Sequence, residues 1–221
     1  MREGVRLRWH DFALDDEGID AGLLSWERSF TEQFLPPNAR ILVIGCGSGR
    51  DVIAWARQGH HVVGIDPAAA AIAAGRAALT ARGLAAELLD GFFEDRPWAP
   101  AFDAVSFSYY TYCYIPDSSR RVAALRQASA ALRAGGHILV NIFPRPGSER
   151  LAFLGSWAAK ISRNDWIPVR GDNTPVLAGT DHLIYEHYFD QEELEREFSA
   201  AHLQVVARFS RGEALVLRPV R

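Results

Sequence analysis

The chain has 221 residues, of which 48% are hydrophobic and 23% charged, a composition typical of a globular protein and unlike a disordered or fibrous chain. Its 24 lysines and arginines against 27 aspartates and glutamates give a formal charge of −3, so no overall basic excess favours binding to long stretches of nucleic acid. Cys46 and Cys113 are too few for a disulfide framework or a cysteine-rich zinc site, and they fit a reducing cytoplasm.

An N-terminal helical extension is expected over residues 1–38. Large apolar residues recur at helical spacing from Leu23 to Phe34, which predicts one helix from about Ile19 to Leu35. Two consecutive prolines then end it. Charged residues interrupt the longest alanine-rich region of the chain, so we expect no membrane-spanning helix. The two cysteines indicate a cytoplasmic location.

From Arg40 onward, short apolar strands alternate with helical segments, which is the pattern of a parallel sheet with right-handed crossovers. The strands are predicted over Ile41–Ile44, His61–Ile65, Leu84–Leu89, Phe102–Phe107 and His137–Ile142. The helices between them are predicted over Asp51–Gln58, Ala68–Arg82 and Asp117–Arg133. The alternation therefore predicts an α/β domain.

Residues 144–180 break this alternation, because prolines and glycines recur through them. We expect an insertion or lid here, with one short helix near Leu151–Ile161. An extra strand is predicted from Leu183 to Phe189, followed by a helix that Asp190 caps. The chain then closes with a hairpin that pairs Gln204–Phe209 with Ala214–Pro219.

The most informative motif is a strand, a G-x-G-x-G loop, a helix and a second strand that ends in an acid. Gly45 lets the chain turn out of the strand, and Gly47 and Gly49 let the backbone lie close to a ligand. Asp66, 21 residues after Gly45, can accept hydrogen bonds from the two ribose hydroxyls of a nucleoside. Arg50 stands where a dinucleotide fingerprint needs a third glycine, which favours a nucleoside without a pyrophosphate.

Five ordered blocks resemble the class I S-adenosylmethionine-dependent methyltransferases. They are ILVIGCGSGR (Ile41–Arg50), VVGIDP (Val62–Pro67), LLDGFFED (Leu88–Asp95), FDAVSF (Phe102–Phe107) and LRAGGHILVNIF (Leu132–Phe143). The resemblance implies one α/β domain over residues 1–221, a three-layer Rossmann-like sandwich. Its seven-stranded, mostly parallel sheet would have an antiparallel last strand and helices on both faces. Within the family, the glycine-loop phrase is most similar to the small-molecule enzymes of the thiopurine and tellurite methyltransferase types.

The resemblance also implies where the cofactor binds. S-adenosylmethionine would lie at the carboxyl edge of the sheet, with its amino-acid part on the Gly45–Gly49 loop and its ribose on Asp66. Asp90 would lie near the adenine amino group, and S-adenosylhomocysteine would be the product. The expected cofactor-binding residues are Gly45, Cys46, Gly47, Gly49, Asp66, Pro67, Asp90, Gly91, Phe92 and Ser106.

The segment after the fourth strand is the expected acceptor side. It has four tyrosines within six residues, and it lacks the Asp/Asn-Pro-Pro-aromatic motif of methylases that act on nucleic-acid amino groups. The tyrosines form either an aromatic wall for a flat or cationic acceptor or, in part, the packing beneath the lid. The expected substrate-binding residues are Tyr109, Tyr110, Tyr112, Trp157 and Trp166.

Methyl transfer by in-line displacement depends mainly on proximity and orientation, so the sequence need not show a catalytic base. The candidates for such a base are His182, His187 and Tyr109, with Glu186 on the same strand face as His182; a structural role is the alternative for each histidine. The remaining histidines have no metal-ligand spacing, and no metal is expected.

The sequence thus predicts an enzyme that uses S-adenosylmethionine to methylate a small molecule. Protein or RNA methylation and non-catalytic binding of S-adenosylmethionine are the alternatives, and Arg50 disfavours a nicotinamide oxidoreductase. The expected partner is a small-molecule acceptor, with neither nucleic acid nor membrane, for a monomer or a homodimer.

Overall fold

The computed structural model describes residues 16–145, 171–173 and 185–220. The helices in this part of the chain are α1 (Asp16–Asp20), α2 (Ser25–Phe34), α3 (Arg50–Arg57), α4 (Ala69–Ala81), α5 (Ser118–Ala131) and α6 (Gln191–Ala200). The strands are β1 (Arg40–Ile44), β2 (His61–Asp66), β3 (Glu87–Asp90), β4 (Phe102–Phe107), β5 (Leu132–Asn141), β6 (Phe143–Pro144), β7 (Asp172–Asn173), β8 (Glu186–Phe189), β9 (Leu203–Phe209) and β10 (Ala214–Pro219).

Seven of these strands form one sheet in the order β3-β2-β1-β4-β5-β10-β9. Strands β1 to β5 pair in parallel, and β10 pairs antiparallel with both of its neighbours. The predicted seven-stranded, mostly parallel sheet with an antiparallel last strand is therefore confirmed. The short strands β6, β8 and β7 pair with one another beside it.

Helices cover both faces of the sheet, which gives the protein two apolar cores. Alternate residues of β1 show the division: Leu42 and Ile44 belong to the core under α5 and α6, whereas Ile41 and Val43 belong to the core under α2, α3 and α4. Because successive side chains of a strand point to opposite faces, a continuous apolar strand is what a sheet covered on both faces requires.

The predicted single helix from Ile19 to Leu35 is instead two helices, α1 and α2. Gly22 lies between them with φ of 77°, a left-handed conformation that interrupts a helix. Helix α2 then restarts at Ser25, and the Glu27 carboxylate accepts a hydrogen bond from the Leu24 backbone nitrogen at 2.7 Å. Residues 1–15 of the expected extension lie outside the described residues.

Most of the expected insertion also lies outside the described residues, over 146–170 and 174–184. The helix expected near Leu151–Ile161 and the candidates Trp157, Trp166 and His182 fall there, so the lid stays a prediction. Within the described ranges, no helix is long and apolar enough to cross a membrane.

Candidate functional site

A cavity of about 770 Å³ opens at the carboxyl end of the parallel strands. The loops after β1, β2, β3 and β4 form its walls, together with the start of α5 and the N-terminal residues Gly18 and Leu24. Strands β1 and β4 flank the point where the strand order reverses. A crevice at this point is where open α/β sheets bind their ligands.

The glycine loop after β1 forms the floor of the cavity. Gly45 has φ of 72°, and a Cβ atom there would lie 2.1 Å from Thr111 Oγ1, so the protein's own packing excludes a side chain. Gly47 has φ of 51°, but a Cβ atom there would meet no atom of the described residues within 4 Å. Because Gly47 lines the cavity, the open space beside it is available to a ligand.

Asp66 ends β2 beside this loop and lines the cavity with 8% of its surface exposed. Its Oδ2 accepts a hydrogen bond from the Gly47 nitrogen at 2.9 Å, and its Oδ1 accepts one from the Ala68 nitrogen at 2.8 Å. Burial raises the pKa of Asp66, and these two hydrogen bonds oppose the rise. A carboxylate has about four acceptor sites, so each oxygen retains one for a ligand hydroxyl.

The expected cofactor-binding residues divide into two groups. Those that line the cavity are Gly45, Cys46, Gly47, Asp66, Pro67, Gly91 and Phe92. Gly49, Asp90 and Ser106 do not line it. Gly49 precedes α3 and packs near Leu88, Asp90 is exposed, and Ser106 is buried within the sheet.

Asp51 and Ser108 line the cavity although the sequence reasoning did not select them. Asp51 is the second residue of α3, and the Ser108 hydroxyl donates a hydrogen bond to its Oδ2 at 2.6 Å. Acids are common in the first turn of any helix, because they offset its dipole. The position of Asp51 two residues after the glycine loop was therefore the sequence signal that distinguished it.

Arg50, which departs from the dinucleotide fingerprint, fastens the N-terminal helices to the glycine loop. Its guanidinium donates two hydrogen bonds of 2.7 Å to the buried Glu27 carboxylate and one of 2.6 Å to the Gly22 carbonyl. The Arg50–Glu27 ion pair thus holds in place the N-terminal segment, which contributes Gly18 and Leu24 to the cavity wall.

The four tyrosines after β4 have different environments. Tyr109 lines the cavity and is 54% exposed, and Tyr114 lines it as well. Tyr110 stacks on Phe143 with ring centroids 4.3 Å apart and does not line the cavity. Tyr112 is wholly buried, and its hydroxyl donates to the Glu197 carboxylate, so the structure places it behind the wall rather than against a substrate.

Backbone strain marks the position of Tyr109. Both Tyr109 and Tyr110 have positive φ angles, of 36° and 63°. Each such residue costs about 1–3 kcal/mol and persists only where the surroundings impose it, often at ligand sites. The stacking of Tyr110 on Phe143 supplies one such constraint.

His187 lies in a buried cluster away from the cavity. Its Nδ1 is 2.5 Å from an Asp172 oxygen and its Nε2 is 2.7 Å from a Glu193 oxygen. Burial alone would lower the pKa of His187, but the hydrogen bonds with Asp172 and Glu193 outweigh burial and raise it. Because both ring nitrogens of His187 already have carboxylate partners, the residue has a structural role here and is not placed to accept a proton from a substrate in the cavity.

Stability should therefore depend on pH through His187. Its pKa in the folded protein lies above the unfolded value of about 6.5, so its contribution is complete below that pH and is lost as the pH rises through the folded pKa. Urea denaturation between about pH 6 and 9 should show a falling free energy of unfolding. The variant His187→Gln should flatten this profile; an unchanged slope would assign the effect to another group.

Arg121 of α5 is the fully buried cation of the same cluster. It donates to Glu197 at 2.7 and 3.0 Å and to Glu193 at 3.2 Å. It also donates to the carbonyl of Ile115, which lines the cavity, at 3.3 Å. The cluster thus supports the tyrosine-rich wall from behind.

Comparisons with known proteins agree with this architecture. The family profile described as a methyltransferase domain matches residues 41–136. The chain is 34% identical over 113 residues to probable thiol methyltransferase 2 of Arabidopsis thaliana, across 49% of this chain and 48% of that protein. It is 29% identical over 135 residues to the cypemycin N-terminal methyltransferase of a Streptomyces species, across 58% of this chain and 53% of that protein. The chain thus spans about half the length of these curated relatives.

A solved structure extends the likeness to nearly the whole chain. The crystal structure of a S-adenosylmethionine-dependent methyltransferase from Methanosarcina mazei superposes with a TM-score of 0.70 at 19% identity, and covers 90% of this chain and 99% of that one. At this identity the likeness establishes the fold. The segment matched by the family profile contains the glycine loop, Asp66 and the loop after β3.

Proposed function

We propose that this chain is a class I S-adenosylmethionine-dependent methyltransferase that binds the cofactor in the cavity and methylates a small-molecule acceptor. The observation that carries the proposal is Asp66, a buried carboxylate beside the glycine loop with an acceptor site left on each oxygen. Such a carboxylate can accept one hydrogen bond from each of two adjacent ribose hydroxyls.

The cavity fits a nucleoside with an amino-acid tail. The open space beside Gly47 lets a ligand approach the backbone of the loop, and Asp66 would hold the ribose. Gly91 and Phe92 follow β3, which pairs with β2, and would flank an adenine base bound next to that ribose. The loop would then hold the amino-acid part.

When bound, S-adenosylmethionine supplies a methyl group on a positively charged sulfur, so the protein need not activate the donor further. The residues of the chain have two tasks, to hold donor and acceptor in line and to exclude water. Tyr109 and Tyr114 supply aromatic surface to the cavity, where ring faces are compatible with a cation or a flat acceptor. Of the predicted substrate-binding residues that the structure describes, Tyr109 is the one that lines the cavity.

The small-molecule acceptor is supported by the cavity and by one of the two relatives. A cavity of this size is in the range of small-ligand sites, and one relative is named for methylation of a thiol. The formal charge of −3 offers no general attraction to nucleic acid. Protein or RNA methylation and non-catalytic binding are the alternatives that an acceptor screen would separate.

The variant Asp66→Ala should weaken binding of S-adenosylmethionine and S-adenosylhomocysteine by about 100-fold or more, because hydrogen bonds to a charged group contribute about 1.5–3 kcal/mol each. Calorimetric titration of the folded variant measures this. Glu87→Gln is the matched control, since it changes an exposed acid at the far end of β3. Unchanged affinity in folded Asp66→Ala would refute the proposed ribose site.

A further inference from the structure

We infer that an apolar subsite between Leu24 and Tyr109 binds the acceptor and selects one that is uncharged and carries an aromatic or aliphatic group. This assignment rests on the proposed function and adds the chemical class of the acceptor to it. Both residues line the cavity. One comes from the N-terminal helices and the other from the segment after β4, so the subsite would lie where these two parts of the chain meet.

The strand order locates the acceptor side of the cavity. The proposed cofactor would cross the carboxyl ends of three neighbouring strands, with adenine beside the loop after β3, ribose on Asp66 at the end of β2 and the amino-acid part on the loop after β1. The next strand is β4, and the segment after it contributes Tyr109. The Ser108 nitrogen donates a 2.9 Å hydrogen bond to the Ile44 carbonyl, which ties this segment to the end of β1. An acceptor on the β4 side would therefore lie next to the donor.

The start of α2 forms the second wall of this subsite. Leu24 precedes α2, and two residues later the Trp26 ring packs against Tyr110 with ring centroids 6.4 Å apart. Because Tyr110 directly follows Tyr109, this contact brings Leu24 and Tyr109 to the same side of the cavity. The Glu27 carboxylate accepts a 2.7 Å hydrogen bond from the Leu24 nitrogen, which fixes the backbone there.

The surface of the subsite is mainly apolar. Leu24, Tyr109, Tyr114, Ile115 and Pro116 all line the cavity, and the last four belong to the segment between β4 and α5. Tyr109 is 54% exposed and the other four are half-buried, so each has surface that an acceptor could cover. Removing apolar surface from water on both partners would stabilise an acceptor with an aromatic or aliphatic group.

The cations beside the subsite already have acidic partners. Two of the described arginines line the cavity, Arg50 and Arg120. The Arg50 guanidinium makes two 2.7 Å hydrogen bonds with Glu27, and Arg120 Nε lies 3.3 Å from Asp117 Oδ2. An anionic acceptor would have to compete with these carboxylates, and burying its charge without a partner is costly. The subsite therefore disfavours an anion.

A cationic acceptor is disfavoured by the donor. The positive charge on the sulfur of bound S-adenosylmethionine would lie beside it, and like charges at short distance repel. The nearby Asp51 carboxylate already accepts hydrogen bonds from the Val52 nitrogen at 2.9 Å and the Ser108 hydroxyl at 2.6 Å. An uncharged acceptor is the class that avoids both penalties and gains from the apolar wall.

Analogues of S-adenosylmethionine with nitrogen in place of the sulfur test the subsite before the acceptor is known. The nitrogen carries a methyl group in the reference analogue. In three others it carries a phenylethyl, carboxyethyl or aminoethyl arm, which would extend past the methyl position into the acceptor side. In calorimetric titration the phenylethyl analogue should bind about 10- to 100-fold more tightly than the N-methyl analogue, the range for burying a phenyl group. The two charged arms should give no such gain.

Leu24→Ala and Tyr109→Ala should each reduce the gain from the phenylethyl arm by about 5-fold or more. The affinity for the N-methyl analogue should change little in either variant, because neither side chain is assigned to the cofactor. Leu35→Ala is the matched control, since Leu35 flanks the other end of α2, is half-buried like Leu24 and does not line the cavity. A thermal melt shows that each variant is folded.

A charged arm that bound more tightly than the phenylethyl arm would overturn the inference. So would a gain that survived in Leu24→Ala or Tyr109→Ala, or that fell as far in Leu35→Ala. Wild-type protein that bound S-adenosylhomocysteine but gained nothing from the phenylethyl arm would also overturn it and leave the proposed function standing. Wild-type protein that bound neither S-adenosylhomocysteine nor any analogue would count against the proposed function itself.

Discussion

Replacing Arg121 with methionine should lower the free energy of unfolding by about 3–5 kcal/mol, the cost of removing one partner from a buried ion pair. For a chain of this length, that loss corresponds to a fall in Tm of roughly 6–20 °C. Urea denaturation at neutral pH measures it directly. The loss is expected because the buried carboxylate of Glu197 would then have no cationic partner among the described residues.

The contacts of Arg121 explain the size of this effect. Its guanidinium joins α5 to Glu193 and Glu197 of α6, to the Tyr185 hydroxyl before β8 and to the Ile115 carbonyl at the cavity. Glu193 retains His187 and Arg145 as partners in the variant. The unpaired charge therefore falls mainly on Glu197.

Two further variants separate charge from packing. Arg126→Met alters an exposed arginine of the same helix. Within the described ranges its side chain donates to the Ala200 carbonyl alone, so the variant should cost no more than about 1 kcal/mol. Adding Glu197→Gln to Arg121→Met removes the unpaired charge and should recover part of the stability. A loss below about 1 kcal/mol in Arg121→Met would mean that Arg121 does not hold α5 and α6 together.

The parts of the molecule that depend on local pattern were predictable from the sequence. Continuous apolar strands, the glycine loop and the acid at the end of β2 each follow from a few adjacent residues. Their spacing was enough to bring Gly47 and Asp66 to one sheet edge, where the structure joins them by a 2.9 Å hydrogen bond. The seven-stranded, mostly parallel sheet with an antiparallel last strand followed from the family resemblance and is confirmed.

The parts that depend on distant partners were not predictable. Tyr112 lies three residues from Tyr109 in the same aromatic run, yet its side chain is buried in the core. There its hydroxyl donates a hydrogen bond to Glu197, which is 85 residues away in the chain. The position of His187 on its strand was predictable, but its two hydrogen-bond partners, Asp172 and Glu193, were not. A single sequence shows which residues are adjacent in the chain and not which carboxylate will meet a given hydroxyl or imidazole.

Replacing Gly47 with valine should reduce cofactor affinity by roughly 100-fold or more, a change of about 3 kcal/mol in binding free energy. The reason is steric, because Gly47 lines the cavity and a Cβ atom there lies more than 4 Å from the part of the chain that the structure describes. The side chain would occupy space that the bound cofactor needs. Titration with S-adenosylhomocysteine, beside a thermal melt, measures affinity and stability together.

The melt matters because valine at a φ of 51° is strained, at a cost of about 1–3 kcal/mol. Gly83→Val isolates that strain. Gly83 has φ of 62°, a Cβ atom there would also meet no described residue within 4 Å, and Gly83 lies after α4 without lining the cavity. The two variants should lose similar stability, while only Gly47→Val loses affinity. If both variants bound the cofactor as the wild type does, the cofactor would not lie in the open space beside Gly47. The glycine at position 47 would then be required only by the backbone turn.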